Sequence, residues 1–242
     1  MLSKNQIKFI TGLHQKKYRD EHKLFIAEGF KTISELLDSN MQLHELYTTK
    51  PLNSDAKATL ITEKELAKIS TLKTPNRMLA IFKIPEPKPI DQSKLILALD
   101  DIRDPGNLGT IIRLCDWFGV IDLVCSLTTA DCYNPKVIQS SMGSIARVNI
   151  NYMPLEVFLK DSALKKIGTF MDGENVYKTI LPEKGILIMG NEANGISKDI
   201  EALSDLKIAI PRFGELQETE SLNVATATAI LLSEFKRNST EK

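Results

Sequence analysis

Apolar residues recur in two rhythms along the chain, and the alternation between them outlines the fold. In the first third, helical spacing over 4–17, 30–39 and 62–70 alternates with short strand-like runs at 23–29, 43–49 and 77–84. Pro85, Pro87 and Pro89 then fall within five residues, which neither a helix interior nor a central strand tolerates. The stretch Pro85–Lys94 is therefore expected to separate an N-terminal domain, 1–88, from a C-terminal one, 94–242. Beyond it the runs "LILALDD", "IDLVCS", "ARVNINY", "KIGTFM", "GILIMGN" and "LKIAIP" read as buried strands. Between them lie helical stretches at 108–119, 135–143, 155–166 and 198–205, and 222–237 closes the chain as a helix. Buried strands separated by helices predict an α/β fold with a mostly parallel sheet covered on both faces. In such folds ligands bind beyond the carboxyl ends of the strands, so polar residues there are the ones to question.

Three strand ends are chemically loaded. In "LALDDIRDPGNLGTIIRLCDW" a strand ends at Asp100 and Asp101, a Pro-Gly turn follows, and Asn107 opens a helix that carries Arg113. For a generic helix, Asn107 reads as an N-cap and Arg113 as a surface residue. Six residues apart on a helix, the two differ by about 240° and do not share a face. Against the surface reading, Arg113 lies within "IIRLC", and a buried or interfacial guanidinium needs an anionic partner. In "LIMGNEANGIS", Glu192 follows Gly190 and Asn191, Asn194-Gly195 signals a turn, and Ser197 is placed to cap a helix. Glu192 reads either as functional or as a carboxylate favoured by a helix dipole. In "IAIPRFGELQETESLNVATATAILL", a polar loop leads to a helix of small residues that Ser221 is expected to cap. Neither GxGxxG nor GK[ST] is present, so a Rossmann fingerprint and a phosphate loop are both excluded.

Composition narrows the class. With 43% hydrophobic and 26% charged residues among 242, the chain is of ordinary globular type, with length for one good core or two modest ones. No apolar run approaches the roughly 18 residues of a membrane span, and the first residues lack a signal-peptide pattern, so a cytoplasmic location is expected. Cys115, Cys125 and Cys132 fit neither CxxC nor zinc-finger spacing and are expected to be reduced, partly buried thiols, with no metal. Net charge is zero, but residues 1–90 carry 15 Lys and Arg against 10 Asp and Glu. Lys16, Lys17, Arg19 and Lys23 in that basic start are candidates for contact with RNA phosphates, or form a solvated helix face.

As an ordered set, "DPGNLGTIIR", "IMGNEANGIS" and "IPRFG…ESLNVATA" resemble the three motifs of the SpoU-type (TrmH-like) RNA ribose 2'-O-methyltransferases of the SPOUT superfamily. The stretch "KKYRDEHKLFIAEGFKTISELL" resembles the N-terminal substrate-binding domain of that family, an α/β module akin to RNA-binding ribosomal proteins. The resemblance implies S-adenosyl-L-methionine as methyl donor, a C-terminal trefoil knot, and a homodimer with the cofactor near the subunit interface. It places cofactor contacts on Gly190, Ile210 and Leu222, and the polar active-site positions on Asn107, Arg113, Glu192, Ser221 and Asn223. His14, His22 and His44 all lie in the N-terminal domain, so no histidine is local to the site.

The family proposal makes the arginine, here Arg113, a base. A guanidinium with a pKa above about 12 is normally protonated, so a second role is to bind the adjacent phosphate while a water or Glu192 takes the proton. One departure is the loop Arg212–Glu220, about three residues longer than usual; its Glu215, Glu218 and Glu220 disfavour phosphate contact and suggest a surface bulge. The leading expectation is methylation of ribosomal RNA, on the analogy of the N-terminal module; transfer RNA is the alternative. A non-catalytic RNA binder would not require the Asn107, Arg113, Glu192, Ser221 and Asn223 set, and a nucleotide-binding enzyme would carry a glycine-rich first loop that "DDIRDPGN" lacks.

Overall fold

The computed structural model describes residues 1–39, 41–51, 58–214 and 221–237. Two compact units form: Met1–Glu86 together with Asp131–Arg147, and Pro87–Ala130 together with Val148–Lys242.

The first unit is built on a four-stranded sheet in the order β1-β4-β2-β3. β1 (Leu24–Glu28) and β2 (Leu43–Thr48) both run antiparallel to β4 (Met78–Lys83), and the short β3 (Thr59–Leu60) joins β2 in parallel. Helices α1 (Lys4–Gly12) and α4 (Glu63–Ile69) each begin with a reciprocal capping box, Ser3 with Gln6 and Thr62 with Glu65. α2 (Lys16–His22) and α3 (Phe30–Leu37) complete the N-terminal part.

The single helix expected over 4–17 is broken between α1 and α2. Tertiary contacts outweigh helix propensity there. Leu13 is fully buried, the His14 ring meets the Ile69 carbonyl at 3.1 Å, and the Leu13 carbonyl accepts from Arg19 at 2.8 Å. Arg19 is only 2% exposed and its Nε donates to Asp131 Oδ2 at 3.0 Å. Arg19 is thereby removed from the RNA-contact candidates: its guanidinium is buried and engaged. Asp131 opens the segment, including α6 (Pro135–Ser141) and a 3-10 turn at Ser144–Ala146, that joins this unit from the middle of the sequence. Tyr133 packs on Phe25 with ring centroids 5.0 Å apart, and Arg147 pairs with Glu35 at 3.3 Å.

The second unit holds a six-stranded sheet, β10-β8-β9-β5-β6-β7, parallel at every pairing. Its strands are β5 (Leu95–Leu99), β6 (Asp122–Cys125), β7 (Asn149–Tyr152), β8 (Lys166–Asn175), β9 (Gly185–Met189) and β10 (Leu206–Ala209). Every residue of the neighbours β5, β6 and β9 is buried. Ile96 and Ala98 cluster with Ile186, Ile188, Leu155, Leu159 and Ile200, which come from β9, α7 (Leu155–Asp161) and α8 (Lys198–Glu201). Leu95, Leu97 and Leu99 point to the opposite face and are at most 5% exposed, so both faces are covered.

Some element bounds differ from expectation for local reasons. α7 stops at Asp161, because the buried Ser162 turns its hydroxyl to Gln92 at 3.0 Å and accepts the Leu164 amide. β8 runs on to Asn175 and pairs with β10 across a register shift at Lys207/Ile208. The three cysteines are free and buried, and burial pushes the Cys115 thiol pKa up. β10 sits at the sheet edge, yet α9 (Val224–Lys236), which follows it, packs on α5 (Pro105–Trp117), the helix that follows β5 three strands further in. α9 therefore lies against a helix from the middle of the sheet and not beside the edge strand it follows. No described helix is long and apolar enough to cross a membrane.

Arg19→Leu is expected to leave the Asp131 carboxylate without its cation and to lower unfolding free energy by about 3 kcal/mol. Urea unfolding reads this directly, and an unchanged midpoint would show that the pair carries no stability.

Candidate functional site

The ends of β5, β6 and β9 are tied together by side chains that satisfy backbone groups. Asp100 is 7% exposed and its carboxylate accepts the Ser197 amide at 2.8 Å. Asp101 adopts a positive φ of 61°, which aspartate tolerates better than most residues. Its amide donates to Ser126 Oγ at 2.9 Å, and its carboxyl pKa lies below the usual range, chiefly through the Arg103 guanidinium.

Asn191 is the hub of the second loop. Its Oδ1 accepts the amides of Ala193 and Asn194, while its Nδ2 donates to the Asp101 carbonyl at 2.7 Å. Its main chain pairs both ways with Gly195, whose φ is 68°. Gly190 packs against this turn so closely that an added Cβ would lie 2.3 Å from Gly195 C and Ile196 N. The glycine is required by backbone approach, and the Asn191–Ser197 loop is shaped by it.

Three expected polar residues meet on this frame. Asp104, not Asn107, is the N-cap of α5, and its carboxylate accepts the Asn107 amide at 2.8 Å. That leaves the Asn107 side chain free to reach outward from the first turn. Its Nδ2 donates to Glu192 Oε1 at 2.8 Å, and its Oδ1 accepts from Asn223 Nδ2 at 3.0 Å. Asn223, rather than the expected Ser221, caps α9, with Oδ1 accepting the amides of Ala225 and Thr226 at 3.0 and 3.2 Å. Residues from three distant stretches thus form one hydrogen-bonded chain. It lies at the exposed carboxyl end of the sheet.

The other candidates are placed differently. Arg113 is exposed and makes no hydrogen bond or ion pair among the described residues, so its place within an apolar run does not bury it. It lies about 9 Å further along α5 than Asn107 and is rotated away from it. Ser221 is exposed, Leu222 is 49% exposed, and Gly190 and Ile210 are half-buried at their strand ends. Ser197 stands at the N-cap of α8 but makes no side-chain cap bond. Lys16, Lys17 and Lys23 are exposed, Lys16 pairing with Asp20 at 2.7 Å. Glu215, Glu218 and Glu220 lie outside the described residues. Among the described residues no group of three His, Cys, Asp or Glu side chains could hold a metal ion.

Asp100, Asp101, Asn191, Ser126 and Asp104 were not singled out by sequence reasoning as parts of the site's frame. The available signal was adjacent aspartates and an asparagine directly after fully apolar strands, where side chains must take over from the sheet ladder.

Residues 94–233 match the SpoU rRNA Methylase family, and residues 4–80 match the MRM3-like substrate binding domain. Over 241 residues the chain is 31% identical to the 23S rRNA (guanosine(2553)-2'-O)-methyltransferase RlmP of Bacillus subtilis, covering 95% of this chain and 96% of that one. Its fold superposes on a TrmH-family protein of Porphyromonas gingivalis with a TM-score of 0.88 at 38% identity, covering 99% of this chain and all of that one. The AdoMet-bound rRNA methyltransferase of Sinorhizobium meliloti gives a TM-score of 0.87 at 28% identity, covering 100% of this chain and 97% of that one.

Gly190→Ala forces its new methyl into the Gly195–Ile196 backbone, so the loop must shift. A loss of about 1–3 kcal/mol is expected, read by thermal unfolding. A variant as stable as wild type would show that the loop relaxes without cost.

Proposed function

The chain belongs to the SpoU rRNA methylase family, and from that premise we propose that it transfers a methyl group from S-adenosylmethionine to a ribose 2'-hydroxyl of ribosomal RNA. The observation that carries this reading is the chain Asn223–Asn107–Glu192, which gathers one residue from each of the three motif stretches at a single strand-end site. The substrate-domain match over 4–80 and the rRNA methyltransferases among its relatives favour ribosomal over transfer RNA. Bacterial relatives acting on ribosomal RNA favour a cytoplasmic setting.

The residues at the strand ends fit S-adenosylmethionine. Gly190 lets the Asn191–Ser197 loop fold back onto the end of β9, the backbone ends of β9 and β10 offer amide and carbonyl edges at Gly190 and Ile210, and Leu222 presents exposed apolar surface. A phosphate cradle is absent from the sequence, and this cofactor needs none. When bound, it supplies a methyl already activated by the sulfonium. The protein's task is then to align the ribose and to remove one proton. We assign ribose and phosphate positioning to Arg113, because a guanidinium stays protonated at neutral pH. Glu192 Oε2, the carboxylate oxygen not engaged by Asn107, is the acceptor for the hydroxyl proton. Asn107 orients Glu192, while Ser221 and Asn223 shape the cofactor loop. Lys16, Lys17 and Lys23 remain candidates for RNA phosphates.

The same reading includes a homodimer and the family's trefoil knot. The return of the chain from edge strand β10 to α5 is consistent with such a crossing. Arg113 and Trp117 stand four residues apart on one face of α5, and Trp117 is 83% exposed. A second copy of this chain over Trp117 would bring Arg113 into a sheltered, interfacial site.

Labelled S-adenosylmethionine incubated with total RNA from a strain lacking this gene is expected to yield a new 2'-O-methyl site in ribosomal RNA. Arg113→Ala is expected to abolish transfer while leaving cofactor binding nearly intact, and retained turnover would remove Arg113 from the reacting centre. Transfer to no RNA, together with no cofactor binding, would overturn the enzymatic reading. Light scattering is expected to give a dimer mass that falls to monomer in Trp117→Glu; a monomeric wild type at micromolar concentration would overturn the shared interface.

A further inference from the structure

The geometry of the polar chain contains a direction as well as a connection. The backbone amides of Ala225 and Thr226 can only donate, so the atom of Asn223 that faces them must be its oxygen. Its Nδ2 then faces Asn107 and must meet an acceptor, the Asn107 Oδ1 at 3.0 Å. That choice leaves Asn107 Nδ2, a donor, turned to Glu192 Oε1 at 2.8 Å. Neither amide can reverse without setting oxygen against oxygen or nitrogen against nitrogen. The orientation of both asparagines therefore originates in the first turn of a thirteen-residue helix.

The consequence falls on Glu192. A donor held at Oε1 anchors one carboxylate oxygen and fixes which oxygen remains open. Among the described residues Glu192 has no other partner, and the residue is exposed, so Oε2 is left unengaged. We propose that Asn223 is a positioning residue for Glu192: the α9 cap sets the direction of the Asn223–Asn107–Glu192 chain, and that direction presents a donor to Glu192 Oε1 and leaves Oε2 for the substrate. The role of Oε2 toward a ribose hydroxyl rests on the function proposed above; the direction of the chain does not.

Aspartate and serine separate this role from simple capping. Both accept the α9 amides as well as asparagine does, and aspartate adds a favourable charge at the helix start. Capping alone therefore predicts that Asn223→Asp is as stable and as active as wild type. In the proposed chain, the carboxylate of the Asn223→Asp variant cannot donate; Asn107 must turn round, and its oxygen then opposes the Glu192 carboxylate. Glu192→Gln removes that conflict in the Asn223→Asp background, because a glutamine amide can donate to the reversed Asn107. The double variant keeps the cap of α9 and restores the two side-chain bonds, from 223 to 107 and from 107 to 192, with the opposite polarity.

The test is a double-variant cycle of Asn223→Asp and Glu192→Gln in the full-length protein, read first by thermal unfolding. Asn223→Asp is expected to lower the melting temperature, and Glu192→Gln to regain most of that loss in the Asn223→Asp background. In an Asn223→Ser background, where the hydroxyl caps α9 but is too short to bridge to Asn107, Glu192→Gln is expected to regain nothing. Read by methyl transfer, Asn223→Asp and Asn223→Ser are both expected to lower kcat about tenfold or more, as for loss of a hydrogen bond to a charged group. Wild-type turnover in either variant, or the same effect of Glu192→Gln in all three backgrounds, would overturn the proposal. The unfolding cycle does not depend on activity, so a wild-type protein inactive on every RNA would overturn the function while leaving the chain's direction to be judged on stability.

Discussion

The bond from Asn191 Nδ2 to the Asp101 carbonyl, 2.7 Å long, closes the frame on which the site stands. Parallel strands buried on both faces leave their backbone groups paired until the last residue, and then abruptly unpaired. At the ends of β5 and β9 the solution is reciprocal. Asn191 takes a carbonyl from the β5 loop, and Asp100 takes the Ser197 amide from the β9 loop. Each loop is held by the other, so neither Glu192 nor the start of α5 can drift independently. Gly190 makes this possible, because any side chain there would push the Asn191–Ser197 loop off its partner.

A site built this way inherits its precision from helix starts as much as from strands. Asp104 caps α5 and so releases Asn107 for the site; Asn223 caps α9 and, with its remaining donor, engages Asn107. Were Asn107 the cap of its own helix, its oxygen would be consumed by backbone amides and the chain to Asn223 could not form. The choice of capping residue thus decides which polar side chains are available for chemistry.

That distinction explains what could be read from the sequence and what could not. The strands and the loading of their ends follow from apolar runs that stop near Asp100, Asn191 and Pro211 and these survive in the fold, but full burial holds only for β5, β6 and β9, while β7, β8 and β10 are partly exposed. Cap assignment was less legible, because Asp104 and Asn107, or Ser221 and Asn223, lie within a few residues of each other and cap about equally well; for α5 the signal was Pro105, which fits the first helical position and leaves Asp104 as the cap. The break between α1 and α2 depends on Arg19 reaching Asp131, more than a hundred residues away, and no local pattern carries such a partner. The same contact turned a residue that looked like a surface cation into a buried one.

Arg113 went the opposite way. Its apolar neighbours Ile111, Ile112 and Cys115 are fully buried, but a helix presents successive residues about 100° apart, so Arg113 lies on the outer face beside exposed Trp117. An apolar run of mixed phase cannot by itself say whether its one charge is inside or outside. What makes the residue informative is the face it occupies. An arginine and a tryptophan four residues apart on one exposed helical face are poorly explained by folding of the single chain, which uses neither for its core. In the homodimer proposed above, a second copy of the chain over this face would shelter the guanidinium at the subunit interface, near which the resemblance places the cofactor.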